Sequence, residues 1–134
     1  MKRTLGIALL LGAITSSTAF GGGGPEPRVI EVVATSDNTF RVLHEKSPVI
    51  RALPGEALRL RITSQRGSEV ARDGATHSLV IRALRDQGWD LRLYDGTKDY
   101  DVKAPDLPAE YLVECTVKCG RGHDDMRMKL IVSK

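Results

Sequence analysis

Tyr111-Leu-Val-Glu-Cys115-Thr-Val-Lys-Cys119-Gly-Arg-Gly-His123-Asp-Asp-Met126-Arg-Met128-Lys-Leu130-Ile-Val132 is two alternating stretches on either side of a ligand-rich loop. Tyr111, Val113 and Cys115 share one face of the first stretch, and Met128, Leu130 and Val132 one face of the second. A period of two predicts half-buried strands on both sides. The only two cysteines of the chain fall in the loop, with His123 and Met126 close behind. Thiolate and thioether sulfur select copper, and imidazole suits it as well. A loop held by a strand at each end can keep such ligands preorganised. Gly120 and Gly122 flank Arg121 and permit the tight path that turns His123 back towards the sulfurs.

Upstream, Leu58, Leu60 and Ile62 alternate with Arg59, Arg61 and Thr63 behind the turn Pro54-Gly55-Glu56. His77, Leu79 and Ile81 share a face of another strand, and strands are also expected from Arg28 to Ala34 and from Thr39 to Leu43. No amphipathic helix of useful length is visible. Short strands separated by Gly, Pro and Asp turns predict an all-β protein, a single antiparallel β-sandwich with an aliphatic core and one tryptophan, Trp89. At the N-terminus Lys2 and Arg3 precede an apolar run from Leu5 to Ala13 and the small residues Ser17-Thr18-Ala19. That is the pattern of a secretory signal peptide over 1–19, too short in its apolar part for a membrane span. Residues 20–27, rich in Gly and Pro, read as a flexible leader, and 28–134 as the domain.

The formal charge of +3 falls close to neutrality once Lys2 and Arg3 of the signal segment 1–19 are set aside, so nucleic-acid binding is not expected. Aromatic residues are too sparse for a base-stacking platform. Export would place the cysteines in an oxidising space. A Cys115–Cys119 disulfide there would close a very short loop and stabilise little, though it could be the resting form of an empty metal site. Two thiolates can bridge two metal ions, and each ion then needs at least one more ligand. The loop offers His123 and Met126, so a further imidazole must come from elsewhere. His77, opening a strand on its apolar face, is the candidate; His44, in a polar context, is assigned to the surface. A histidine such as His77 alone would be read as a core residue, and Met126 alone as packing. Zinc in a Cys2His2 site is the alternative metal.

The spacing Cys-x3-Cys-x3-His-x2-Met, with Cys119-Gly-Arg-Gly-His123 inside it, resembles the dinuclear copper A loop of cytochrome c oxidase subunit II and nitrous-oxide reductase. The resemblance extends through Pro54-Gly55-Glu56, Thr76-His77-Ser78 and Ala109-Glu110-Tyr111, over roughly residues 47–134. It implies a cupredoxin-like Greek-key sandwich and two coppers bridged by Cys115 and Cys119. One copper would add His77 and Met126, the other His123 and the backbone carbonyl of Val117. Val117 stands where the oxidase subunits often carry Glu, a change the carbonyl ligand survives. The membrane hairpin of the oxidase subunit and the propeller of the reductase are not seen here, and an enlarged loop, Gln65 to Ala75, precedes His77. A free-standing domain is therefore expected.

The function expected from this is one-electron transfer in the periplasm or an equivalent exported space. Its partner would be a c-type cytochrome or a terminal oxidase. His123 would be the exit for electrons, with Asp124 and Asp125 placed to steer a basic partner. The loop offers no open coordination position, general base or oxyanion hole, so catalysis by this chain alone is not expected. Copper delivery to an oxidase is the alternative function, and thiol–disulfide exchange a third.

Overall fold

The computed structural model describes residues 22–134; the signal-peptide reading of 1–19 and the first two residues of the leader lie outside them. The described chain is built of nine strands: β1 Arg28–Ala34, β2 Phe40–Val42, β3 Val49–Ala52, β4 Ala57–Ser64, β5 His77–Val80, β6 Asp90–Leu93, β7 Gly96–Lys103, β8 Ala109–Glu114 and β9 Arg127–Val132. Helical structure among the described residues is confined to two 3₁₀ turns, Arg82–Gln87 and His123–Asp125. One sheet has the order β2-β1-β4-β7, the other β3-β9-β8-β5-β6.

The alternation read from the sequence becomes the core. Val32 and Ala34 of β1, Leu58, Leu60 and Ile62 of β4, and Val113, Met128 and Leu130 of β8 and β9 are all buried. They face one another between the sheets, as the aligned layers of a sandwich require. β5 departs from alternation: all four of its residues are buried. It lies inside its sheet, between β8 and β6.

Pairing corrects the antiparallel expectation. β1 runs parallel to β4 and β3 parallel to β9. After the β1–β2 hairpin the chain crosses to the other sheet for β3 and returns as β4, which brings β4 in alongside β1 with the same direction. A period of two reports which face is buried and is silent on direction.

Two features fix the sandwich away from the ligand loop. Trp89 is fully buried, and its Nε1–H donates to the Lys103 carbonyl at 2.9 Å. It therefore joins the β5–β6 connection to the end of β7 in the opposite sheet. On the solvent face, Arg59 and Arg61 of β4 each make two hydrogen bonds to the aspartate opposite, Asp101 and Asp99 of β7. Cross-strand pairs of opposite charge favour this register.

Candidate metal centre

The centre forms at the end of the sandwich where β4 and β8 finish and β5 begins. His77 enters on β5 with nothing exposed, Cys115 follows β8 directly, and Cys119 lies four residues beyond Cys115 in the β8–β9 loop. One imidazole nitrogen of His77 and the two sulfurs lie within 4.8 Å of one another. Both cysteines are free thiols, with Sγ atoms 3.9 Å apart. Cys119 Sγ is 3.5 Å from His123 Nδ1 and 3.9 Å from Met126 Sδ, and Cys115 Sγ is 3.2 Å from the Val117 carbonyl oxygen. The structure thus brings His77, Cys115, Val117, Cys119, His123 and Met126 together. It leaves His44 exposed on the turn after β2.

The orientation of His77 is set from behind. Its Nε2 lies 2.7 Å from the carbonyl oxygen of Gln65, so Nε2 carries the proton and donates. Nδ1 then bears the lone pair, and it is buried without any hydrogen-bond partner. Buried polar atoms are normally paired, and an imidazole that donates through one nitrogen is typical of a metal ligand using the other. Burial lowers the His77 pKa, which favours the neutral ring that a metal needs. Burial and the adjacent Cys115 push the Cys119 thiol up, so without metal that thiol is protonated at neutral pH. Metal binding must displace the proton. The unpaired nitrogen and the two facing sulfurs fit a soft metal ion.

The supports of these ligands were largely hidden in the sequence. Ser78 Oγ accepts the Thr116 N–H at 2.7 Å and pairs with Thr116 Oγ1 at 2.8 Å, tying the His77 strand to the peptide after Cys115. The Met126 carbonyl accepts the Cys115 N–H at 3.2 Å, so both ends of the ligand loop are joined. The enlarged loop 65–75 supplies the Gln65 carbonyl, and the Glu69 N–H donates to the Cys119 carbonyl at 3.3 Å. Backbone donors and acceptors carry no residue signature, and only Ser78 and Thr116 could have been proposed from side-chain type.

Asp73 fastens the far end of that loop. Its carboxylate accepts two hydrogen bonds from Arg92, one from the Tyr94 hydroxyl and one from the Ala75 N–H. These donors, Arg92 first, hold its carboxyl well below the usual carboxylate range. A carboxylate with a lowered native pKa stabilises above its unfolded value, 3.8, and loses that contribution progressively as pH falls below it. Asp73→Asn is therefore expected to speed amide exchange of Gly74 and Ala75 at pH 6. The difference from the parent should shrink as pH falls below 3.8. A difference independent of pH would show that the charge is not what fastens the loop.

No protein-family model and no curated protein sequence matches the chain. Solved structures do. The chain is similar to part of a haem-copper terminal oxidase dimer (20% identity, TM-score 0.58, 79% of this chain and 65% of that one). It is also similar to auracyanin B (18%, TM-score 0.54, 84% and 94%). A third likeness is to the periplasmic domain of cytochrome oxidase subunit II from Bradyrhizobium japonicum (13%, TM-score 0.54, 82% and 87%). The chain has the cupredoxin fold that these structures share. It spans just under two thirds of the oxidase chain. No helix among the described residues is long and apolar enough to cross a membrane.

Proposed function

We propose that this domain is a copper-binding electron carrier with a dinuclear centre bridged by Cys115 and Cys119. His77 and Met126 would complete one copper; His123 and the Val117 carbonyl would complete the other. The observation that carries this reading is His77 Nδ1, buried, unpartnered and set against two free thiols. The spacing of the sulfurs supports the count of two. At 3.9 Å they are closer than twice a metal–thiolate bond of ~2.3 Å, so an ion on either side of the line between them can touch both. When bound, the copper pair supplies a one-electron store.

The residues of the chain do the rest. Val117, Cys119 and Met126 are buried and exclude water, which keeps reorganisation on electron transfer small. His123 is half-buried and sits beside the exposed Asp124 and Asp125, which makes it the route outward to a partner. The signal-peptide pattern over 1–19 supports an exported location, the periplasm or an equivalent space, where a c-type cytochrome or terminal oxidase is the partner that this chemistry fits.

Copper analysis with electron paramagnetic resonance on the reduced, reloaded domain tests the reading. Two coppers sharing one unpaired electron are expected, held against excess EDTA. One localised copper would defeat the dinuclear assignment. Two coppers surrendered promptly to the chelator would favour copper delivery over electron transfer.

A further inference from the structure

Asn38 stands where three loops meet. It is the third residue of the turn Ser36-Asp37-Asn38 between β1 and β2. Bonds from the Thr35 N–H to the Thr39 carbonyl at 2.9 Å and from the Asn38 N–H to the Thr35 carbonyl at 3.0 Å close this turn. Its φ is 60°. A left-handed residue commonly ends hairpin loops of this length, and Asn adopts that conformation more readily than other side-chain-bearing residues. The hydroxyls of Thr35 and Thr39 both donate to the Asp37 carboxylate and stiffen the turn from within.

The Asn38 side chain points away from that turn into the protein, and the residue is only 4% exposed. Its Nδ2 donates to the Arg121 carbonyl at 2.6 Å. Arg121 lies between Gly120 and Gly122, where the ligand loop reverses before His123. The third loop closes from the other side. A Cβ on Gly67 would stand 2.5 Å from the Cys119 carbonyl oxygen and 2.6 Å from Asn38 Oδ1. A Cβ on Gly120, whose φ is +117°, would strike Ser68 Oγ and lie 3.4 Å from Asn38 Nδ2. Neither glycine leaves room for a side chain. The Oδ1 atom is buried and without a hydrogen-bond partner, so this amide is not there to satisfy itself. Its one hydrogen bond goes to the ligand loop.

We infer that Asn38 is a positioning residue of the metal centre: its amide holds the Arg121 peptide and so fixes where His123 stands relative to Cys119. The inference rests on the reading of His123 as a ligand, but Asn38 itself touches no metal. Of the histidines and sulfurs gathered here, His123 alone is partly open to solvent, so it is the ligand through which a copper would leave, and the Asn38 bond to the Arg121 peptide would resist its displacement.

Two substitutions separate the amide from the backbone. Asn38→Gly keeps the left-handed conformation free of strain and removes the side chain. Asn38→Asp keeps the shape and turns an acceptor, not a donor, towards the Arg121 carbonyl. The first measurement uses the metal-free chain and follows amide exchange at His123 and Asp125, whose N–H groups bond to the Gly120 and Gly122 carbonyls at 3.1 and 3.0 Å. Both variants are expected to exchange there about tenfold faster, the scale of one lost buried hydrogen bond, with β4 and β7 unchanged. The second measurement loads copper: release to excess EDTA should be about tenfold faster, with altered hyperfine structure in the paramagnetic resonance spectrum.

Parental exchange at His123 in both variants would overturn the inference. So would faster exchange spread evenly over β4 and β7, which is the mark of a merely structural residue. Faster loop exchange with unaltered copper release and spectrum would also overturn it, since the loop would then be held without consequence for the centre. A parent that takes up no copper defeats the copper reading instead, and the loop exchange still decides whether Asn38 fixes His123.

Discussion

Cys119→Ser is expected to reduce the copper content of the loaded domain from two to at most one and to abolish the shared-electron signal. A serine oxygen is a hard donor and a poor bridge for copper. With one sulfur gone, the remaining thiolate cannot hold both ions. Cys115→Ser should act in the same direction. The larger loss is expected at Cys119, because its sulfur also contacts His123 Nδ1 and Met126 Sδ, whereas Cys115 Sγ contacts the Val117 carbonyl and Cys119. Metal analysis with paramagnetic resonance on both variants decides the matter. Two coppers retained in each would mean that the sulfurs do not bridge.

Trp89→Ala is expected to give the largest loss of stability among single substitutions away from the centre. Emptying a fully buried tryptophan site costs about 3–5 kcal/mol, and total stability for such domains is typically about 5–15 kcal/mol. The Lys103 carbonyl would also lose its donor. The register places Trp89 at the opposite end from the ligands: Val80 pairs with Asp90 beside Trp89, and His77 with Leu93 at the centre. Denaturant unfolding of the metal-free chain should therefore show the loss while the folded variant still binds two coppers. A loss below about 1 kcal/mol would show that Trp89 does not anchor the sheets.

How far the sequence could be read depended on which kind of group did the work. β1, β4, β8 and β9 were legible because their apolar residues alternate and one face of each is buried. β7, Gly-Thr-Lys-Asp-Tyr-Asp-Val-Lys, was not: Val102 is its one buried residue, and what makes it a strand is the backbone ladder to β4, along which Asp99 and Asp101 meet Arg61 and Arg59. β3 and β6 are four residues each, and of the two only β6 alternates, Leu91 and Leu93 against Asp90 and Arg92. At the centre, the sulfur and imidazole residues could be singled out by their chemistry, and the structure gathers them. The groups behind them could not be read. Gln65 and Glu69 act through backbone atoms, and Asn38 reads as an ordinary turn residue until Arg121 is brought to it from 83 positions away.

The parallel pairing of β3 with β9 has a consequence for the order of events during folding. Val49 is matched with Lys129 and Ala52 with Val132, and β9 lies between β3 and β8 in the finished sheet. Contacts between segments so distant in sequence form slowly, because the intervening chain must be closed into a loop first. All the proposed ligands have been synthesised by Met126, yet the far edge of their loop is held only once β9 has docked. The thiols of Cys115 and Cys119 therefore stay loose until β9 has docked and the Met126 carbonyl has met the Cys115 N–H.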